Sequence, residues 1–232
     1  MHLGARKALS SPHAIAMTGA MNVKDEDRVT IRLHQGDLPR PVQGVTAMAV
    51  DTEAMGLNHG RDRLCLVQMS SGDGTVDLVQ IDRGQTEAPN LTAMLADPSI
   101  QKIFHFGRFD MGLLMATFGV MPAPIYCTKI ASKLVRTYTD RHGLRDLARE
   151  LVGEEISKQQ QSSDWGAPTL TDAQKAYAAS DVLFLHRIRD VLNTMLAREE
   201  RTDLAAALFA FLPTRVELDL AGWPEEDIFA HS

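Results

Sequence analysis

The sequence predicts an α/β layer fold, with a mixed central β-sheet flanked by helices on both faces. Three observations predict it. Short β-prone apolar runs come first in the chain, strand-like and helix-like runs then alternate, and a long helical pattern without Pro or Gly begins near Thr171. At 232 residues the chain suits one domain with a full core and is short for two.

The elements follow in order. Val29 to Leu33, VTIRL, alternates as a short strand after an arm over 1–28 that carries no continuous apolar core of a secretory signal. A loop with Pro39 and Pro41 leads to the central strand, Thr46 to Val50, an uncharged apolar run that ends in Asp51-Thr52-Glu53. Leu64 to Met69 reads as a strand covered on both faces, the SSGDG sequence as a turn, and Thr75 to Ile81 as the return strand of a meander. Leu91 to Ala96 is a short helix stopped by Asp97-Pro98, and Lys102 to Phe106, KIFHF, is a strand. Arg108 to Phe118 is a helix ended by Gly119. Ile125 to Cys127 is a brief strand, and Thr128 is placed to cap a helix running through Leu134. Gly143 to Val152 is a further helix. The last helix starts with Thr169 or Thr171 as N-cap and runs on toward Arg201. These spans give an expected domain over 29–210. The Pro-containing tail, 211–232, is expected to be an extension packed on the domain or on a neighbouring subunit.

Composition narrows the function. Hydrophobic residues make up 44% and charged residues 23%, the balance of a globular protein, and no apolar run approaches the ~18 residues of a membrane helix. Lys plus Arg number 24 against 30 Asp plus Glu, a net charge of -6, which argues against coating long nucleic acid by counterion release. Cys65 and Cys127 lie in apolar surroundings without metal or redox spacing, so buried thiols in a reducing cytoplasm are expected.

The chemistry gathers around acids. Residues i and i+2 of an extended chain share a face, which sets Asp51 and Glu53 ~6 to 7 Å apart along the strand. Unit charges ~4 Å apart repel by ~4 kcal/mol at an effective dielectric of 20. Further acids brought to this point therefore need a cation. Asp110 stands in the first turn of its helix, where a carboxylate is also stabilising by ~0.3 to 1 kcal/mol with no catalytic role. His105 and Arg108 beside it offer donors for a phosphate. Tyr177 and Asp181, four residues apart in YAASD, share a helix face across small residues, as a hydrogen-bonded core pair also would. Together these residues can converge four acids and one phenol at one end of the sheet. Such a set suits two hard divalent cations, ~3.5 to 4 Å apart, for phosphodiester hydrolysis.

This order resembles the DEDD superfamily of 3′-to-5′ exonucleases in its tyrosine-bearing branch, to which ribonuclease D belongs. The histidine branch would place His where Ala176 stands. From Ile31 onward the segments RDRLCLVQMSSGDGTVDLVQI, KIFHFGRFD, CTKIASKLVRTYTDRHGL, ISKQQQSSDW and DIFAHS resemble the stand-alone nanoRNase C family of oligoribonucleases, and the residues after Asp181 are too few for the extra helical domains of ribonuclease D.

The resemblance implies an RNase H-like exonuclease fold, two divalent cations, Mg²⁺ or Mn²⁺, and degradation of very short RNA, dinucleotides such as pGpG especially, to nucleoside monophosphates. It also implies a ring-shaped homo-octamer. Asp51, Glu53 and Asp181 would hold one metal, Asp51 would bridge to the second, and Asp110 would support that ion through water, with Tyr177 positioning the attacking water. Leu57 matches an apolar wedge between bases, against the alternative of an ordinary packing leucine. His105 and Arg108 would lie near the scissile phosphate or sugar. Lys133, Arg136, Tyr138 and Arg141, or Lys158, Gln160, Ser162 and Trp165, are the candidates to hold a 5′ phosphate or stack a base. Longer RNA or DNA as substrate, and an inactive nuclease fold used for binding, are the competing readings.

Overall fold

The computed structural model describes residues 29–58, 61–157 and 159–231. The expected arm over 1–28 lies outside the described residues. Six strands form one sheet in the order β1-β4-β3-β2-β5-β6: β1 (Thr30–Gln35), β2 (Ala47–Ala54), β3 (Leu64–Ser70), β4 (Thr75–Gln80), β5 (Gln101–Phe104) and β6 (Ile125–Cys127). The meander is there: β2 pairs β3 and β3 pairs β4, both antiparallel. Parallel pairings of β1 with β4, β2 with β5 and β5 with β6 make the sheet mixed. Every residue of β3 is buried, as an uncharged run inside a sheet covered on both faces should be. By contrast β1 is an edge strand, largely exposed.

The helices are α1 (Pro89–Ala96), α2 (Arg108–Phe118), α3 (Thr128–Val135), α4 (Leu144–Leu147), α5 (Asp172–Leu183), α6 (Leu185–Arg198) and α7 (Thr202–Leu220). Of the alternatives for the start of the last helix, Thr171 is the cap. Its hydroxyl accepts from the Gln174 N–H at 3.2 Å, and the Gln174 side chain accepts from the Thr171 N–H at 3.0 Å, a reciprocal box that satisfies two otherwise free donors. Gly119 closes α2 with φ +67°, a left-handed position that glycine adopts without steric cost.

Four local expectations are corrected. Thr128 does not cap α3; Cys127 is the N-cap, and the Thr128 hydroxyl turns inward to donate to the Phe104 carbonyl at 3.2 Å. The helix expected over Gly143 to Val152 is short α4 followed by a π-helical turn, Ala148–Val152, ended by Gly153 at φ +74°. The expected single last helix breaks at Phe184 (φ -102°, ψ -3°) into α5 and α6. Residues 202–220 are helical despite Pro213, and because α7 runs on without interruption, the division expected between 210 and 211 falls inside a helix.

α5 lies against β1 to β4, α2 against β2, β3 and α7, and α7 also against β6. This brings the first turn of α2 and the second half of α5 to the part of β2 that carries the acids. No helix among the described residues is long and apolar enough to cross a membrane.

Candidate active site

Strand β2 continues through Ala54, so Asp51 and Glu53 are held within the ladder, opposite Gln68 and Leu66, rather than released at its end. The Gln68 amide donates to Asp51 Oδ2 at 2.9 Å and fixes that carboxylate. From α5, Asp181 approaches the pair: one carboxylate oxygen from each of Asp51, Glu53 and Asp181 lies within 4.8 Å of the others. Asp110, buried in the first turn of α2, accepts a 2.6 Å hydrogen bond from the Thr52 hydroxyl, which ties α2 to β2 between the two acids. The Tyr177 phenol stands one turn before Asp181 and near enough to lower the pKa of its carboxylate. The structure thus clusters three of the predicted acids, Asp51, Glu53 and Asp181, and sets Asp110 beside them, near enough to raise Asp51 and Glu53.

Burial and mutual repulsion govern these groups. Asp51 is raised well above the usual carboxylate range, by burial first and then by Asp110, Asp181 and Glu53. Glu53 is pushed up to about 9 by burial, with Asp181 and Asp110 adding to it. Burial lifts Asp110 to about 7 against the opposing Thr52 hydrogen bond, and lifts Asp181 to about 7 against the opposing effect of Tyr177. The Tyr177 phenol is raised by burial and by the neighbouring carboxylates, so it keeps its proton. Among the described residues no Lys, Arg or His forms an ion pair with any of the four acids. Convergent oxygen donors with no internal cation are the donor set that hard divalent ions take, so the residues present fit such ions.

A cavity of about 740 Å³ opens over Asp51, Glu53 and Asp110. Leu57 stands at its rim, 85% exposed, on a chain re-aimed by the register shift between Glu53 and Ala54. His105 lines the cavity, its Nδ1 2.9 Å from the Thr128 hydroxyl. That hydroxyl already donates to Phe104, so the hydrogen-bond network assigns the proton to Nδ1 and leaves Nε2 as an acceptor. Burial lowers His105 to about 3, and the ring is neutral. Ser162 also lines the cavity.

The remaining predicted contacts fall elsewhere. Arg108 turns away from the acids to Asp219, with Nε and Nη2 at 2.5 and 2.7 Å from its two oxygens. Arg136 is fully buried; it pairs with Glu150 and donates to the Arg141 carbonyl at 2.6 Å, so it holds the fold and has no face for a phosphate. Lys133 is exposed beside an apolar cavity on α3 and α7, and Tyr138 is exposed next to Arg136; neither lines the acidic cavity. Arg141 is exposed as well and is absent from the cavity lining. Trp165 borders the cavity but is 2% exposed and packs on Tyr177 at 6.0 Å between ring centroids, which positions the phenol rather than offering a stacking face. Gln160 accepts from Ser163 at 2.6 Å and steadies the connector instead of lining the cavity. Lys158 lies outside the described residues.

Sequence reasoning missed Thr52, Gln68 and Phe106. Phe106 has φ +65°, is 47% exposed, and carries the Lys129 ammonium 4.3 Å from its ring centre. The available signal was the adjacent Gly107, at which a Cβ would meet Phe104 at 2.6 Å, so the backbone there is compressed in a way only glycine permits.

Residues 35–197 match the family model described as 3′-5′ exonuclease, so this chain, with its mixed sheet and gathered acids, belongs to the 3′-5′ exonuclease family. Among solved structures, NrnC of Brucella melitensis is 62% identical, with a TM-score of 0.86 over 88% of this chain and 99% of that one. Structures of that protein bound to pGG and with bound Mg²⁺ are each 60% identical over 88% of this chain and 100% of theirs, with TM-scores of 0.86 and 0.84. Ribonuclease D of Gluconacetobacter diazotrophicus is 36% identical over 165 residues, 71% of this chain and 42% of that protein. The chain thus spans about two-fifths of the length of the curated relatives it matches first.

Proposed function

We propose that this chain is a 3′-to-5′ exoribonuclease that degrades short oligoribonucleotides, dinucleotides such as pGpG above all, to nucleoside 5′-monophosphates. The observation that carries this is the cluster of Asp51, Glu53 and Asp181 with Asp110 beside it, all raised in pKa and none paired with a basic side chain among the described residues, at a cavity sized for a small ligand. The 60% identical NrnC structures with pGG and with Mg²⁺ support the substrate class and the metal.

Asp51, Glu53, Asp110 and Asp181 are the residues that would hold two divalent cations, Mg²⁺ or Mn²⁺. Bound there, such ions generate hydroxide from water near neutral pH and neutralise charge on the phosphodiester oxygens. The chain supplies the rest. Tyr177, kept protonated and oriented by Asp181 and Trp165, aims the attacking water at the phosphorus, whose bond to the 3′ oxygen of the preceding nucleotide breaks. Leu57 separates the terminal base from its neighbour. The neutral His105, with Nε2 as acceptor, receives a hydrogen bond from a ribose hydroxyl, the group that distinguishes RNA from DNA.

We place the protein in the cytoplasm, consistent with the buried free thiols of Cys65 and Cys127, and as a ring-shaped homo-octamer. The test is hydrolysis, with added Mg²⁺, of 5′-phosphorylated RNA and DNA from dinucleotides upward by wild type, Asp51→Ala and Asp181→Ala. Wild type should favour the shortest RNA and both variants should be inactive. Folded variants cleaving pGpG at the wild-type rate would refute the reading.

A further inference from the structure

Strand β3 carries a glutamine that its apolar neighbours do not call for. Gln68 is completely buried in a strand beside Leu66, Val67 and Met69, at a position where an apolar side chain would pack without any polar atom to satisfy. Its amide nitrogen donates to Asp51 Oδ2 at 2.9 Å, while its Oε1 is buried and has no hydrogen-bond partner among the described residues. A buried acceptor left unpaired costs ~1 to 3 kcal/mol. Reversing the amide would set Oε1 against the Asp51 oxygen, so the carboxylate fixes which end faces it. The strand therefore carries an unpaired carbonyl for the sake of one donor.

That donor is aimed by register. Across β2 and β3, Asp51 stands opposite Gln68 and Glu53 opposite Leu66, and residues directly opposite share a face of the sheet. Of the two strand acids, only Asp51 faces a donor in this way. Gln80, a buried glutamine of β4, behaves differently: it donates to the Ala167 carbonyl at 2.8 Å and accepts from Gln35 at 3.1 Å, so both its ends tie the chain together. Gln68 meets an acid at one end and nothing at the other.

The chemistry explains the choice of residue. A Lys or Arg at 68 would neutralise Asp51 from within, an acid would add a like charge to the cluster, and an apolar side chain would leave the carboxylate free to turn. An amide holds one oxygen and brings no charge. A carboxylate has about four acceptor sites, so a single hydrogen bond fixes its orientation and leaves the others for an ion.

We propose that Gln68 is a positioning residue of the metal site, which holds Asp51 through an uncharged donor and so sets the affinity of the cluster for divalent cations. This rests on the reading of the four acids as the holders of Mg²⁺ or Mn²⁺. Groups that orient a metal ligand in this way are worth about 10- to 100-fold in metal affinity.

The test measures Mg²⁺ binding to the metal-stripped full chain by titration calorimetry without RNA, alongside dinucleotide hydrolysis at rising Mg²⁺. Gln68→Met, similar in volume and lacking the donor, should weaken Mg²⁺ binding about 10- to 100-fold and raise the Mg²⁺ needed for half-maximal hydrolysis by the same factor, with kcat recovering as Mg²⁺ saturates. Gln68→Asn, which keeps the amide but withdraws it by one carbon, should behave alike, and decides if Gln68→Met does not fold. Gln80→Met is the structural control: it should lower the melting temperature and leave Mg²⁺ affinity within about twofold. Mg²⁺ affinity at the wild-type level in the Gln68 variants overturns the proposal. So does an equal loss of affinity in Gln80→Met, or a loss of kcat that saturating Mg²⁺ does not recover; in each case the exoribonuclease reading stands. A wild type that binds no Mg²⁺ overturns both.

Discussion

The surroundings of Arg136 and the acid-bearing part of β2 both bury charge, and they do so in opposite ways. Around Arg136 the charge is matched: its guanidinium reaches Glu150, the Arg141 carbonyl and the Ser132 hydroxyl, and Arg108, Asp219 and Arg215 form a similar matched set at the end of α7. At the acid-bearing part of β2 the charge is unmatched: Asp51, Glu53, Asp110 and Asp181 meet with hydroxyl and amide donors only. Matched burial is internal structure, complete within the chain. Unmatched burial of one sign is complete only with something from outside, which is how a binding site differs from a buttress made of the same residue types.

The contrast can be broken hardest at Asp181. Asp181→Asn should lower kcat/KM by at least about 10³-fold, because an essential donor is gone. In chelator the same variant should melt higher than wild type, since one repelling charge has been removed, and Mg²⁺ should raise the melting temperature of wild type but not of the variant. Thermal denaturation with and without Mg²⁺ reads both signs. A variant that melts lower than wild type in chelator would mean that the acids are not in conflict.

The matched region should answer in the opposite sense. Arg136→Met removes the cation from a buried pair and should cost about 3 kcal/mol in urea unfolding, the low end for such pairs because Glu150 keeps access to water. Activity per folded molecule should be unchanged. A smaller effect is expected at Tyr177→Phe, about 10- to 100-fold in kcat with stability retained, since only the aim of a water is lost.

The smallest effect is on pH. Asp110 and Asp181 titrate near 7 and Glu53 near 9 in the fold, above the ~4 of carboxylates in an unfolded chain, so the folded state binds more protons throughout that window. The contribution of these groups to metal-free stability should therefore be full below about pH 4, the unfolded value, and be lost as pH rises to about 7 for Asp110 and Asp181 and about 9 for Glu53. Melting curves in chelator across that range, flattened by added Mg²⁺, would sharpen the comparison; a rise toward alkaline pH would reverse it.

The same contrast explains what was legible in the sequence. Asp51, Glu53 and Asp181 could be read because each sits at a spacing that a strand or helix converts into a shared face, and the meander because β3 is an uncharged run bounded by turn residues. Arg108 and Arg136 misled because a guanidinium looks alike whether or not a carboxylate is waiting for it, and Asp219 lies 111 residues from Arg108. Trp165 misled for a similar reason: its burial against Tyr177 is set by α5, not by its own neighbours in SKQQQSSDW. The break at Phe184 and the helix through Pro213 left no local mark, because packing against the sheet and α2 decides both.

Strand β2 is an interior member of the sheet, bonded to β3 on one side and β5 on the other, and its crowded carboxylates cannot be eased by the fraying of a loop. Depletion of the ion would therefore loosen the middle of the molecule first and its periphery second. In hydrogen exchange, the slowest amides of β2 and β3 would quicken on chelation while those of edge strand β1 changed little, so that the ion's hold would be read at the centre of the sheet.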